Sequence, residues 1–305
     1  MTRVARGAAL LAEHERRPGR SLVEPVGQLG GQLARHPADL TATALARVAD
    51  SVDRDRVRVV LVSGVAAQLE RVPRGHGVRG ERLRVVAPRA GYAQRSADDS
   101  AGDGPRNVSD AVKLASSPLA HGLGAMVMFE QHFHAARDVT KSHSARVDTF
   151  VSRSNGKLGE IDGSIVSVSR RPTLRKSYAA DKVEPRVDLI KLVLGSDDRF
   201  IRYAAASGAR AIVLEAFGRG NATPAIAAAV RDIIADGVPV VVTSRCGAGR
   251  VKPIYGNGGG KDLERAGAIF AGDLTGPKAR IVVSLLLGME MTIDEMRQEI
   301  LALGG

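Results

Sequence analysis

Apolar residues follow two spacings along this chain, one near two residues and one near 3.6, and their alternation predicts most of its elements. The pattern is clearest from residue 187 onward. Aliphatic and β-branched runs at 187–194, 211–215 and 238–243 read as buried strands. The first leads to Gly195-Ser-Asp-Asp198 and a helix ending at Ala206; the second leads to Gly218-Arg-Gly-Asn221 and a helix over 223–235. Strands separated by helices of about a dozen residues predict parallel βαβ units with right-handed crossovers. Two further helices, 277–289 and 292–303, close the chain. The second opens on Thr292-Ile-Asp-Glu295, a capping box in which hydroxyl and carboxylate satisfy amides of the first turn.

Upstream the signals are sparser. Asp103-Gly-Pro-Arg-Asn107 is a turn that opens a helix over 108–115, and Ser116-Ser-Pro118 ends it. An apolar run at 125–129 reads as a buried strand, and 156–165 alternates apolar residues with glycine as a hairpin does. Residues 170–186 are polar and flanked by proline, the composition of an interdomain linker. Earlier still, 39–50 has helical spacing, whereas 56–62 and 83–86 read as strands.

Composition changes the picture for the first third. Residues 1–106 contain 18 Arg but no Lys, Ile, Phe or Asn, whereas all these types occur later. A core there has to be built from Val, Leu and Ala. The missing residues have AT-rich codons, so a GC-rich stretch read out of frame, or a diverged replacement, accounts for the bias. Over the whole 305 residues the chain is 44% apolar, enough for a packed core. Its net charge of +11 raises nucleic acid as a partner. Aromatic residues make up only 3% and Trp is absent, so stacking platforms are poorly supplied and the charge reads instead as a solvated face.

A single cysteine, Cys246, excludes an intramolecular disulfide or a cysteine-based zinc site and reads as a small buried or half-buried residue. The histidines at 121, 132, 134 and 143 offer no helical pair enclosing a glutamate, so no zinc site is expected, and no cofactor is implied. The longest apolar run, 281–287, falls well short of the roughly 20 residues that span a bilayer. The apolar stretch at 7–12 is interrupted at once by Glu13-His-Glu-Arg-Arg, so no signal peptide and a cytoplasmic location are expected. The glycine turn 218–221 lies between a strand and a helix, where free amides can take an anion. It lacks the full dinucleotide fingerprint, and a tight strand-to-helix turn is the preferred reading.

The charged, hydroxylated stretch Arg137-Asp-Val-Thr-Lys141 follows the apolar run at 125–129 and resembles the lysine motif of the bacterial-type L-asparaginases, the asparaginase/glutaminase family. In the family's order come also Asp103-Gly-Pro-Arg-Asn107, Leu158-Gly-Glu-Ile-Asp-Gly163, Leu214-Glu-Ala-Phe-Gly-Arg-Gly-Asn221, Val240-Val-Val-Thr-Ser-Arg245 and the segment 267–280. The resemblance implies an α/β chain of two domains: an N-terminal domain over 1–165, a mostly parallel sheet with flanking helices whose residues 1–100 have diverged; a linker over 166–186; and a smaller C-terminal parallel βαβ domain over 187–305. It implies hydrolysis of the side-chain amide of asparagine, in some members glutamine, with release of ammonia, and a homo-oligomer, dimer or tetramer, whose sites form between subunits. Neither nucleic acid nor membrane is expected as a partner.

The family is understood to use a threonine nucleophile, a lysine and an aspartate that move its proton, and a second threonine and a tyrosine on an N-terminal loop. An alcohol is a poor nucleophile until a neighbouring base takes its proton. Lys141 matches the lysine, with proton transfer as its role, and Asp103 and Tyr92 are assigned to substrate. Both threonine motifs are missing or degenerate. After Val62 this chain reads Ser63-Gly-Val-Ala-Ala67, so Val65 and Ala66 stand where the family has threonine and aspartate. Ser63 is the hydroxyl beside Gly64, a substitute nucleophile displaced by roughly 6 to 7 Å of extended chain. Two readings therefore stand together: an asparaginase-type amidohydrolase, and an inactive paralogue or frameshift-damaged product acting by binding or assembly.

Overall fold

The computed structural model describes residues 93–95, 99–174, 176–178 and 180–305. The predicted helix at 39–50 and strands at 56–62 and 83–86 lie outside these residues, as do Ser63, Val65, Ala66 and Tyr92. The chain divides into two units, 1–173 and 174–305.

In the first unit, helix α1 (Gly104–Ser116) carries Pro105 in its first turn, where a missing amide costs nothing. Its buried face presents Val108, Ala111 and Leu114. Strand β1 (Met126–Phe129) turns through Glu130 and Gln131, both in the left-handed region at φ 45° and 61°, into β2 (His132–Ala135). Two such residues make the tight turn whose twist matches that of the flanking strands. A two-residue ribbon follows, β3 (Thr140–Lys141) with β4 (Phe150–Val151), and then the hairpin β5 (Gly159–Asp162) and β6 (Ile165–Val168).

The four-stranded sheet runs β1-β2-β5-β6 and is antiparallel throughout. A mostly parallel sheet is the expectation for this domain as a whole; its described part is antiparallel because β1–β2 and β5–β6 are joined by two-residue turns, too short for a crossover, and the segment 136–158 between β2 and β5 holds the ribbon and no crossover helix. Register sorts the residues to two faces. Met126, Met128, Phe133 and Ile161 meet Ala111 and Leu114 of α1 in one core. The pairs Val127 with His134 and Phe129 with His132 project to the opposite face.

The second unit is the predicted parallel α/β domain. Its sheet runs β10-β9-β8-β7, comprising β7 (Val187–Lys191), β8 (Ala211–Ala216), β9 (Val240–Ser244) and β10 (Ile269–Phe270), all parallel. The central strand β8 is buried along its whole length, as a strand covered on both faces must be. Helices α2 (Arg199–Ala206), α3 (Pro224–Ala235) and the short α4 (Gly260–Arg265) share one core with Ile212, Leu214 and Val242; α5 (Gly276–Gly288) and α6 (Ile293–Gly304) share the other with Val213, Val241 and Ile269. Glu215 is buried at the end of β8, where Lys191 Nζ lies 3.1 Å from its carboxylate. Among the described residues no helix is long and apolar enough to cross a membrane.

The capping box forms as expected: Thr292 Oγ1 accepts the Glu295 amide at 3.3 Å, and the Glu295 carboxylate accepts the Thr292 amide at 2.8 Å. Loss of such a cap costs about 1 kcal/mol, so Thr292→Ala is expected to lower the unfolding free energy of the second unit by that amount, read as a lower denaturation midpoint at an unchanged m-value. Helix α4 and strand β10 have no counterpart in the periodicity, since six and two residues are too few to show a period.

Candidate active site

The motif Arg137–Lys141 begins two residues beyond the strand β2, which the pattern of apolar residues leaves unmarked because His132 and His134 occupy alternate positions in it. The carbonyl of Ala135 accepts the amides of both Asp138 and Val139 at 3.0 Å, and this turn takes the chain off the sheet into β3. Lys141 thus sits on a separate ribbon, paired with Phe150, rather than at the end of the strand at 125–129. The Phe150 ring packs 4.9 Å from that of Phe129, so the ribbon lies over the sheet face that carries His132 and His134.

The ribbon is tied at both ends. At its tip Ser142 donates its amide and hydroxyl to the Thr149 carbonyl at 2.8 and 2.9 Å, and the wholly buried Thr149 accepts the His143 amide on Oγ1 at 3.0 Å. At its base the Asp138 carboxylate accepts Arg137 Nη1 at 2.8 Å, Asn155 Nδ2 at 3.1 Å and Arg170 Nη2 at 3.1 Å. Arg170 Nη2 also donates to the Gly156 carbonyl at 2.8 Å. Lys141 itself is half-exposed, and no hydrogen bond or ion pair joins its Nζ to another of the described residues. The ribbon is held by its backbone and neighbours, which leaves the amine available for chemistry.

Beneath the ribbon, His134 Nδ1 lies 3.0 Å from Ser152 Oγ, and both residues are buried. His134 Nε2 is buried with no hydrogen-bond partner. Burial, followed by the positive charges of His132, Lys157 and Arg170, pushes the His134 imidazolium down to a pKa of about 4, against a weaker opposing pull from Asp138. The ring is therefore neutral at pH 7.

Asp103 is buried at the start of α1, and its carboxylate accepts the amides of Gln94, at 2.9 and 3.0 Å, and of Arg95, at 2.9 Å, together with Asn107 Nδ2 at 3.1 Å. Its hydrogen bonds thus go to the protein's own backbone and α1. The Gln94 side chain in turn donates to the Ser144 carbonyl in the tip of the lysine ribbon. The Asp103 turn and the ribbon that carries Lys141, predicted from separate motifs, are in this way linked through Gln94 at the ribbon's tip, Ser144. The Asp138–Arg170–Asn155 cluster and the His134–Ser152 pair are structural neighbours of the ribbon that spacing does not announce; the only signals are the charged residues at 137, 138, 170 and 171.

In the second unit the turn at 218–221 is a tight connection and not an anion cradle. The amides of Gly220 and Asn221 both donate to the Phe217 carbonyl at 2.9 Å, and that of Ala222 to Gly258 at 3.2 Å. Gly220 has φ 102°, and a Cβ there would lie 2.8 Å from the Phe270 ring. Cys246 is exposed, contrary to the burial expected from its type. It lies beyond the end of β9, next to Arg245, whose guanidinium stacks 4.7 Å over the Phe217 ring. Among the described residues no group of three His, Cys, Asp or Glu side chains is placed to hold a metal.

Comparison with known families gives two matches in register with these units. The asparaginase N-terminal family model matches residues 91–174, and the glutaminase/asparaginase C-terminal domain model matches residues 186–299. The chain belongs to the asparaginase/glutaminase family. Its relatives include the L-asparaginase of Bacillus licheniformis, 33% identical over 196 residues, a match that covers 64% of this chain and 61% of the relative. The probable L-asparaginase of Deinococcus radiodurans is 34% identical over 212 residues, covering 68% of this chain and 64% of the relative. A subunit of the glutamyl-tRNA(Gln) amidotransferase from Methanobrevibacter smithii is 29% identical over 214 residues, covering 67% of this chain and 49% of the relative. The chain thus spans about three fifths of the length of the asparaginases it matches. The asparaginase family match begins at residue 91, and Asn, Lys, Phe and Ile first occur within it, at Asn107, Lys113, Phe129 and Ile161.

Proposed function

We propose that the protein is an L-asparaginase-type amidohydrolase, converting the side-chain amide of L-asparagine, or of glutamine, to a carboxylate and ammonia, with Lys141 moving the proton of the attacking hydroxyl or water. The observation that carries this reading is Lys141 itself: the lysine of the family motif stands on a ribbon tied at base and tip, and its amine makes no hydrogen bond or ion pair among the described residues. Water adds to the amide carbon, the C–N bond breaks and the leaving nitrogen takes up a proton, so the reaction needs a group that can accept and return one. The related asparaginases and the amidotransferase share, by their names, the chemistry of an amide nitrogen. Asp103, given to substrate by the resemblance, is linked to the tip of the lysine ribbon through Gln94, and the working form is a homo-oligomer.

A second reading rests on a specific observation: Val65 and Ala66 stand in the places of the family's threonine and aspartate. On that reading the protein is a non-catalytic paralogue or a damaged product that acts by binding or assembly. Ammonia release from asparagine and from glutamine separates the two. For the enzyme, Lys141→Ala is expected to reduce turnover by about 10²- to 10⁴-fold, the range for loss of a proton-transfer group. Wild-type protein that releases no more ammonia than Lys141→Ala establishes the inactive reading.

A further inference from the structure

The two legs of the lysine ribbon converge on one side chain. Asp138 stands two residues before β3, and Asn155 and Gly156 stand four and five residues after β4. Arg170, just beyond β6, reaches both legs: its Nη2 donates to Asp138 Oδ2 at 3.1 Å and to the Gly156 carbonyl at 2.8 Å, while Asn155 Nδ2 donates to Asp138 Oδ1 at 3.1 Å. The carboxylate is largely buried, with 8% of its side chain exposed, so these bonds form where water competes poorly. A two-residue pair of strands has too few ladder bonds to define its own position, and a two-stranded hairpin is at best marginally stable alone. What fixes it has to come from outside the ladder.

We propose that Arg170 is a positioning residue for Lys141: by clamping Asp138 and the Gly156 carbonyl together it closes the base of the ribbon and so sets where the amine stands. The function of that placement rests on the amidohydrolase reading; the clamp itself does not. A carboxylate between two arginines also explains why the motif carries Arg137 and Asp138 beside the lysine, since Asp138 accepts from both Arg137 and Arg170. A displacement of about an ångström in a catalytic group can cost about a hundredfold in rate.

The test uses the full chain with Arg170→Met, which keeps the apolar stem and removes both donors, and Arg170→Lys, which keeps a cation for Asp138. Amide hydrogen exchange reads the clamp independently of catalysis. In Arg170→Met the Ser142 amide, bonded across the ribbon to Thr149, is expected to exchange about tenfold or more faster, while the Leu158 and Ile161 amides, bonded to β2 and its turn, stay within about threefold of wild type. Arg170→Lys is expected to recover most of that protection. Turnover, where the wild type has it, is expected to fall at least about tenfold in kcat for Arg170→Met with KM changed less than about threefold, and to be partly rescued in Arg170→Lys. Unchanged exchange at Ser142 overturns the proposal, as does faster exchange spread evenly over Leu158 and Ile161. Should Arg170→Met not fold, Asn155→Ala removes one strand of the clamp, and it too is expected to raise exchange at Ser142 selectively; the wild-type rate there overturns the proposal. A wild type without turnover removes the amidohydrolase reading and leaves the exchange result to decide the clamp.

Discussion

Gly159→Ala is expected to destabilise the first unit by about 3 kcal/mol, the upper end of what overpacking costs. Gly159 lies in the middle of the antiparallel sheet, opposite Phe133 of β2 on one side and Val168 of β6 on the other. An added Cβ would stand 2.0 Å from the Ser167 carbonyl oxygen and 2.4 Å from Phe133 Cζ. Neither neighbour can move aside, because the first is strand backbone and the second is a wholly buried ring at the centre of the core formed with Leu114 and Met128. The strain should pass along β2, whose His134 underlies the ribbon. Proteolysis and hydrogen exchange of Leu158 and Ile161, both bonded to β2 or its turn, measure the effect on this unit separately from the α/β unit, which two-state unfolding of the whole chain would blur. Wild-type protection at these amides would show that the sheet opens to accept the methyl group.

The second large effect is one of pH. His134 has a folded pKa of about 4 against 6.5 for the free side chain, because burial disfavours the charged ring. Above pH 6.5 the ring is neutral in folded and unfolded chains alike, and it contributes no pH dependence. Between pH 6.5 and about 4 the unfolded chain binds a proton that the folded protein excludes, so stability falls as the pH falls; below about 4 both states carry the proton and the loss is complete. The difference of about 2.5 pH units corresponds to about 3 kcal/mol. His132 adds in the same direction, since burial and Lys157 lower it as well. Glu160, lowered by its bond to Lys157, and Asp148, lowered by Arg146, lose native partners at the acid end of the same range. The histidine is therefore isolated by difference: His134→Asn, which retains an amide to meet Ser152, is expected to flatten the fall in unfolding free energy between pH 7 and pH 4 by about 3 kcal/mol relative to wild type. Parallel curves for the two proteins across that range would show that the buried ring accepts its proton at an ordinary pKa.

The C-terminal unit was the more legible half, for a physical reason. Parallel strands covered on both faces must be continuously apolar, and runs such as Ile212-Val-Leu214 and Val240-Val-Val242 can be read without knowledge of their neighbours. The helix caps are local too, so Thr292 and Glu295 announced the start of α6 to the residue. The N-terminal unit hid its elements because its sheet alternates. In His132-Phe-His-Ala135 one face meets the core with α1 and the other meets the lysine ribbon, and the two histidines disguise the strand. Strands of two residues, such as β3, carry no period at all.

The candidate site shows the same division. From the sequence alone came the lysine motif with Lys141, the turn at Asp103, the family resemblance and the expectation that both threonine motifs are missing or degenerate, all of them carried by the order of residues along the chain. Only the tertiary structure decided that Asp103 holds Gln94 and Arg95, that Gln94 reaches the tip of the lysine ribbon, and that Asp138 draws in Asn155 and Arg170 from 17 and 32 residues away. It also decided that His134 is neutral beside Ser152. Such contacts depend on side chains brought together by strand register and burial, and these follow from how the sheet folds back on itself. A motif can name the lysine, but the position and surroundings of its amine are set by residues that no local pattern connects to it.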